Sequence, residues 1–273
     1  MERFGWLISA SLTGSVLKLA LIFILLQWGW GINGALWAFA VSAFTVTAVG
    51  FIPVRKFLTL RRVTTAVPYR DFVMFFFPVA VSLFCFTGLV NLDMVLVKHF
   101  FATETAGAYS LAQMVGKIFL FLPAAIIIVL FPRTAGLNAR NQDTRGTLRQ
   151  SLMLAAVLCA AAGVFYNLFP GFVLSVLVGK VSAETVLLGR FFSVSMSLFA
   201  LINIIISYFL SLRDGRFIKY LVISAAVQSV LIFVFHSSLP VIQGIMCGNA
   251  AVLLAGFCFL AFWGFNRKAY ARV

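Results

Sequence analysis

An all-α integral membrane protein is the fold class this sequence predicts, and three observations carry the prediction. Of its 273 residues 63% are hydrophobic and only 10% are charged, and the mean hydropathy is +1.08, well above that of soluble domains. The apolar residues fall in about eight runs, near 7–28, 34–52, 72–92, 106–131, 150–168, 186–210, 217–236 and 240–264, most of them near the roughly 20 residues a helix needs to cross a bilayer. The basic residues, finally, sit mostly in short loops between these runs, as the positive-inside rule requires.

The first run follows Met1-Glu2-Arg3 and carries Lys18 near its middle, so it reads as a retained span rather than a cleaved signal. Gly29–Asn33 turns it into the second run, and His236–Leu239 joins the last two, so each pair forms a membrane hairpin. Pro240 suits the first turn of its helix. A cytoplasmic N-terminus puts Arg3, Arg55, Lys56, Arg61, Arg62, Arg70, Arg133, Arg140, Arg145, Arg149, Arg213, Arg216, Lys219, Arg267, Lys268 and Arg272 on that side. The expected topology of these eight transmembrane helices is therefore N-in and C-in. Pro78 and Pro123 fall inside the third and fourth runs, where each is expected to remove a backbone donor and bend its helix.

Several function classes drop out. The net charge of +14 lies in loops between spans rather than on a solvated basic face, so no nucleic acid is expected as a partner. Cys85, Cys159, Cys247 and Cys258 all lie within apolar runs without metal or redox spacing, and His99 and His236 stand singly near helix ends. No metal site and no cofactor are expected. Glu2, Asp71, Asp143 and Asp214 belong to loops and are not paired with a histidine or a second acid at useful spacing, and there is no Gly-rich phosphate loop. The chain does not read as an enzyme.

The stretch Asn91–Arg133 holds the most informative residues. It closes one apolar run, passes a short polar loop at Ala102–Thr105 and opens a second run with Lys117 near its middle. A lysine at that depth costs about 2.5–3.5 kcal/mol on insertion scales unless it faces water or an anion. Ser110, Gln113 and Lys117 are spaced i, i+3, i+7 and share a helix face, and Ser11, Ser15 and Lys18 repeat the arrangement in the first run. Both lysines lie too far from an edge to snorkel readily, which leaves an aqueous cavity or an internal ion pair. Lys18, Lys117, Gln113, Ser110 and Ser15 are accordingly the candidate substrate-binding residues. Asp93, the acid beside a span on the outer half, is the candidate coupling residue and a candidate partner for Lys117. The neutral pairs Thr87/Asn91, Asn203/Ser207 and Ser224/Gln228 read as interhelical hydrogen bonds.

A family resemblance rests on this stretch. NLDMVLVKHFF, then ATETAGAYSLAQMVGKI, then FLPAAIIIVLFPR resembles the hairpin opening the second half of polysaccharide flippases of the multidrug/oligosaccharidyl-lipid/polysaccharide exporter superfamily, such as Wzx-type O-antigen translocases. The family's D-x-x-L-(V/L)-x-x-F-(L/F) is matched by Asp93, Leu96, Val97, Phe100 and Phe101. Its A-G-x-Y-x-x-A is matched by Ala106, Gly107, Tyr109 and Ala112, and its L-F-P by Leu130, Phe131 and Pro132. VLVGKVSAETVLLGRFF is similar to the entry to the family's tenth helix, and LQWGWGINGALWAF to the turn between its fifth and sixth.

The resemblance implies a partial two-bundle exporter fold, with 1–68 as the last helix pair of the N-terminal bundle and 69–273 as a six-helix C-terminal bundle. The chain begins at what corresponds to the fifth helix, so either it is a truncated copy or a partner supplies the earlier helices. The implied activity is flipping of an undecaprenyl-pyrophosphate-linked oligosaccharide across a bacterial inner membrane. The implied partners are that lipid-linked oligosaccharide, the membrane, and the polysaccharide polymerase and glycosyltransferases of the same pathway. Two other readings stay open: a cation-coupled multidrug extruder of the same superfamily, which calls for cavity acids rather than lysines, and a non-transporting membrane protein or integral transferase.

Overall fold

The computed structural model describes residues 4–58, 69–179 and 182–263. Glu2, Arg3, Arg61, Arg62, Lys180, Arg267, Lys268 and Arg272 lie outside these residues, and so do the side chains of Ser11, Arg55, Lys56, Arg70 and Asp71. Two compact units are present, Met1–Val67 and Pro68–Val273. The first holds α1 (Phe4–Gln27) and α2 (Gly31–Leu58). The second holds α3 (Tyr69–Phe100), α4 (Thr103–Phe121), α5 (Ala124–Ala139), α6 (Arg145–Leu168), α7 (Pro170–Val178), α8 (Ala183–Ser211), α9 (Ile218–Val234) and α10 (Leu239–Phe262).

Among the described residues every regular element is a helix, the form in which one segment satisfies its own backbone groups in lipid. Six stretches are long and apolar enough to cross a membrane: Gly31–Phe51, Phe76–Phe100, Thr103–Ala139, Arg145–Leu168, Ala183–Ser211 and Leu239–Phe262. The shorter apolar helices Leu12–Gln27 and Ile218–Val234 fall on the first and seventh expected runs. The chain is an all-α integral membrane protein.

In the first unit, small residues let α1 and α2 close on each other. A Cβ on Gly14 would collide with the Val46 side chain, and one on Gly34 would stand 2.9 Å from the Cβ atoms of Leu25 and Trp30. Such close backbone approach is what small residues provide between membrane helices. The intervening turn needs positive φ at Gly29 and Gly31 (77° and 51°), a region that glycine enters without a Cβ penalty. Trp28 and Trp30 are exposed at this turn, where indoles suit a membrane–water boundary.

The second unit is built around α8. Its sequence is mostly apolar, as befits a helix packed among others, and Leu188, Phe192, Met196, Phe199, Ile202, Ile205 and Phe209 are fully buried. Helices α3, α4, α5, α6, α7 and α10 all pack on it. One close face is against α4, where a Cβ on Gly116 would lie 2.8 Å from the Phe192 Cβ. At Gly189 a Cβ would collide with the Tyr166 hydroxyl of α6.

Three local expectations are corrected. Thr103–Thr105 belong to the first turn of α4 rather than to a loop, with Glu104 placed where a carboxylate complements the helix N-terminus. Pro123 lies between α4 and α5 rather than inside a helix, whereas Pro78 lies inside α3 and Pro132 inside α5. The stretch after residue 168 contains α7, begun by Pro170 and stopped by Gly179 at φ 72°. Nine residues rise only about 13–14 Å, too short to cross the hydrocarbon core.

Candidate functional site

The core of the second unit encloses several polar groups, and one cluster of them centres on an acid. Asp93 of α3 is fully buried. Its Oδ2 accepts from the Tyr109 hydroxyl at 2.8 Å, and the Gln113 amide donates to both carboxyl oxygens at 3.2 and 3.1 Å. Tyr109 in turn accepts from the Gln243 amide of α10 at 2.6 Å, and Gln243 Oε1 accepts from Ser195 of α8 at 3.4 Å. Phe192 lies edge-on to the Tyr109 ring, centroids 5.0 Å apart. Four helices thus meet through one chain of donors and acceptors. No buried polar side-chain atom among the described residues is left without a partner, as low-dielectric surroundings demand.

A second cluster joins α9 and α10 to α3. Gln228 donates to the Leu89 carbonyl at 2.8 Å and accepts from Asn249 at 2.9 Å. Ser224 donates to Asn249 Oδ1 at 3.0 Å. The expected role of Ser224 and Gln228 as interhelical bonders is what the packing shows.

Lys117 does not pair with Asp93. Its Nζ donates to Asn91 Oδ1 at 3.0 Å, while Asn91 donates to the Thr87 carbonyl at 2.8 Å. The Asp93 oxygens are already taken by Tyr109 and Gln113, and the half-buried edge where Asn91 sits costs the ammonium less hydration than the core would. Asn91 also lines a groove of about 410 Å³ between α3 and α9, with Phe84, Thr87, Leu92, Val95 and Ser229. Gln113, expected beside Lys117 on an open stripe, is instead buried against Asp93. Ser110 is half-buried. In the first unit Ser15 is exposed and Lys18 half-buried, with the Lys18 Nζ 5.4 Å from the centre of the Phe39 ring, a cation–π contact.

Gln243, Asn249 and Ser195 were missed from sequence. Their signal was available, since polar side chains within otherwise apolar spans must find partners. Tyr109 was visible only as a motif position.

The Tyr109 hydroxyl bonds Asp93 and Gln243 where water does not reach, with the Met246 sulfur 3.7 Å away, so its removal tests the network. Tyr109→Phe is expected to destabilise the detergent-solubilised protein by about 1–3 kcal/mol, the cost of leaving buried groups unpaired, rather than the ~0.6 kcal/mol of an average interhelical bond. Gln243→Leu should add little on top of it. Full additivity of the two losses in thermal unfolding would show that the groups act separately.

A polytopic membrane protein with a polar core and a lysine held partway along a span is the class that fold and site define. Residues 1–138 match the polysaccharide biosynthesis protein family, and the chain belongs to it. No curated protein and no solved structure is significantly similar to the chain.

Proposed function

We propose that this protein moves a lipid-linked oligosaccharide across the membrane for surface polysaccharide assembly, without a chemical step of its own. Membership of the polysaccharide biosynthesis family supports the pathway. The single observation that carries the transport reading is Lys117, an ammonium within the span Thr103–Ala139 whose hydrogen-bond partner is the neutral Asn91. Among the described residues no acid forms an ion pair with it, so it is open to an anion, and the diphosphate of an undecaprenyl-pyrophosphate glycan is such an anion. Asp93, enclosed by Tyr109 and Gln113, is assigned a coupling role that requires no access of a bulky cation, and Ser110 a contact to the headgroup and glycan, with Lys18 and Ser15 candidates by themselves in the first unit, in a bacterial inner membrane beside the pathway's glycosyltransferases and polymerase. The inside-negative potential favours outward movement of an anion by about 2.3 kcal/mol per charge per 100 mV.

The multidrug reading draws on Asp93, the buried acid. Both of its oxygens are engaged by Tyr109 and Gln113, which leaves a cationic drug no free carboxylate there. The deciding measurement is reconstitution of the full chain in liposomes with a fluorescent prenyl-diphosphate oligosaccharide in one leaflet. Appearance in the other leaflet at least tenfold faster than in protein-free liposomes is expected. Extrusion of a cationic dye without glycolipid movement would transfer the assignment to the drug extruder.

A further inference from the structure

A second site lies at the arginine-rich end of the α5–α6 hairpin. Between these helices runs a groove of about 360 Å³ lined by Ala125, Ile126, Val129, Leu130, Arg133, Thr147, Gln150, Ser151 and Leu154. On α5 the lining steps along one face from Ile126 through Val129 and Leu130 to Arg133; on α6 it steps from Leu154 back through Ser151 and Gln150 to Thr147. Because α6 returns from the loop that α5 enters, both polar ends lie at the same end of the hairpin. The groove is therefore apolar toward the middle of the spans and polar toward the loop.

The polar end has no partner within the described chain. Among the described residues Arg133, Thr147, Gln150 and Ser151 make no side-chain hydrogen bond or ion pair with the chain. Elsewhere hydroxyls within helices back-bond to the preceding turn, as Thr45, Ser82, Thr134 and Ser229 do. Here four donors face one groove. The local charge is net positive: residues 133–149 contain Arg133, Arg140, Arg145 and Arg149 against the single acid Asp143.

We propose that the α5–α6 groove seats an anionic phospholipid, its phosphate held by Arg133 with Thr147, Gln150 and Ser151, and one acyl chain lying along Ile126, Val129 and Leu154. The gradient from guanidinium to aliphatic wall matches such a lipid along its length, and arginine's planar fork suits two phosphate oxygens. Basic grooves between spans are where anionic headgroups bind. The site involves neither Lys117 nor Asp93, so it is independent of the transport reading.

The test is native mass spectrometry of the full chain in detergent, titrated with phosphatidylglycerol, phosphatidylcholine or inorganic phosphate. Wild type is expected to retain phosphatidylglycerol at least fivefold better than phosphatidylcholine, with free phosphate failing to displace it. Arg133→Gln should abolish that preference, Arg133→Lys should keep part of it, and Arg140→Gln, at an exposed arginine outside the groove, should leave it intact. If Arg133→Gln fails to fold, Ser151→Leu, which blocks the groove from α6, should remove the preference in its place. Equal losses in Arg133→Gln and Arg140→Gln, an unchanged preference in Arg133→Gln or Ser151→Leu, or displacement by phosphate alone would overturn the proposal.

Discussion

Lys117→Ala is expected to lower surface polysaccharide at least tenfold in cells that depend on this protein, with the amount of membrane-inserted protein unchanged. Tenfold corresponds to about 1.4 kcal/mol, and an ammonium 4 Å from a phosphate charge in surroundings of intermediate dielectric is worth up to ~4 kcal/mol before desolvation is subtracted. The charge term therefore exceeds what the prediction needs. Lys117→Gln separates charge from packing, since an amide can still donate to Asn91 Oδ1 but carries no charge. It should resemble Lys117→Ala in export and wild type in stability, whereas Lys117→Arg should retain partial export. Wild-type polysaccharide in the alanine variant would remove the basis for a lysine-held headgroup.

The second large effect concerns stability. Gly116→Leu is expected to prevent recovery of folded protein, and Gly116→Ala to lower the melting temperature measurably. A Cβ at Gly116 would meet the Phe192 Cβ at 2.8 Å and the Met196 Cγ at 3.2 Å. The Phe192 Cβ is fixed to its own backbone, so α4 and α8 would have to separate where they meet at Gly116. Overpacking costs about 1–3 kcal/mol for small insertions, and a leucine adds three further carbons to the clash. Gly136 of α5, with nothing within 4 Å of its would-be Cβ, provides the control: Gly136→Ala should be neutral or slightly stabilising. A Gly116→Ala protein that melts with wild type would mean the two helices are less closely seated than described.

The all-α membrane class was legible because length and hydropathy report directly on what a bilayer admits. The polar residues were legible as residues and illegible as partners. At about 100° per residue, Gln113 and Lys117 lie roughly 40° apart on α4, so one stripe contains both, yet Gln113 turns to Asp93 and Lys117 to Asn91. The flexible lysine stem carries its ammonium to the neighbouring edge. Periodicity names a face without naming the helix that faces it, which is why Gln243, 134 residues beyond Tyr109, went unseen. The short helix α7 escaped because an apolar run followed by Pro and Gly reads equally as a span ending or a turn.

The spacing of the Asp93 contacts along the chain has a consequence for biogenesis. Tyr109 and Gln113 lie 16 and 20 residues downstream of the acid, within one helical hairpin, whereas Gln243 is synthesised far later. Chains emerge from the ribosome N-terminus first at about 5–20 residues per second, so α3 and α4 can enter the lipid with the carboxyl already shielded, several seconds before α10 exists. The last helix then locks an arrangement that the hairpin has made tolerable, and a ribosome stalled after α4 should still deliver a stably inserted pair.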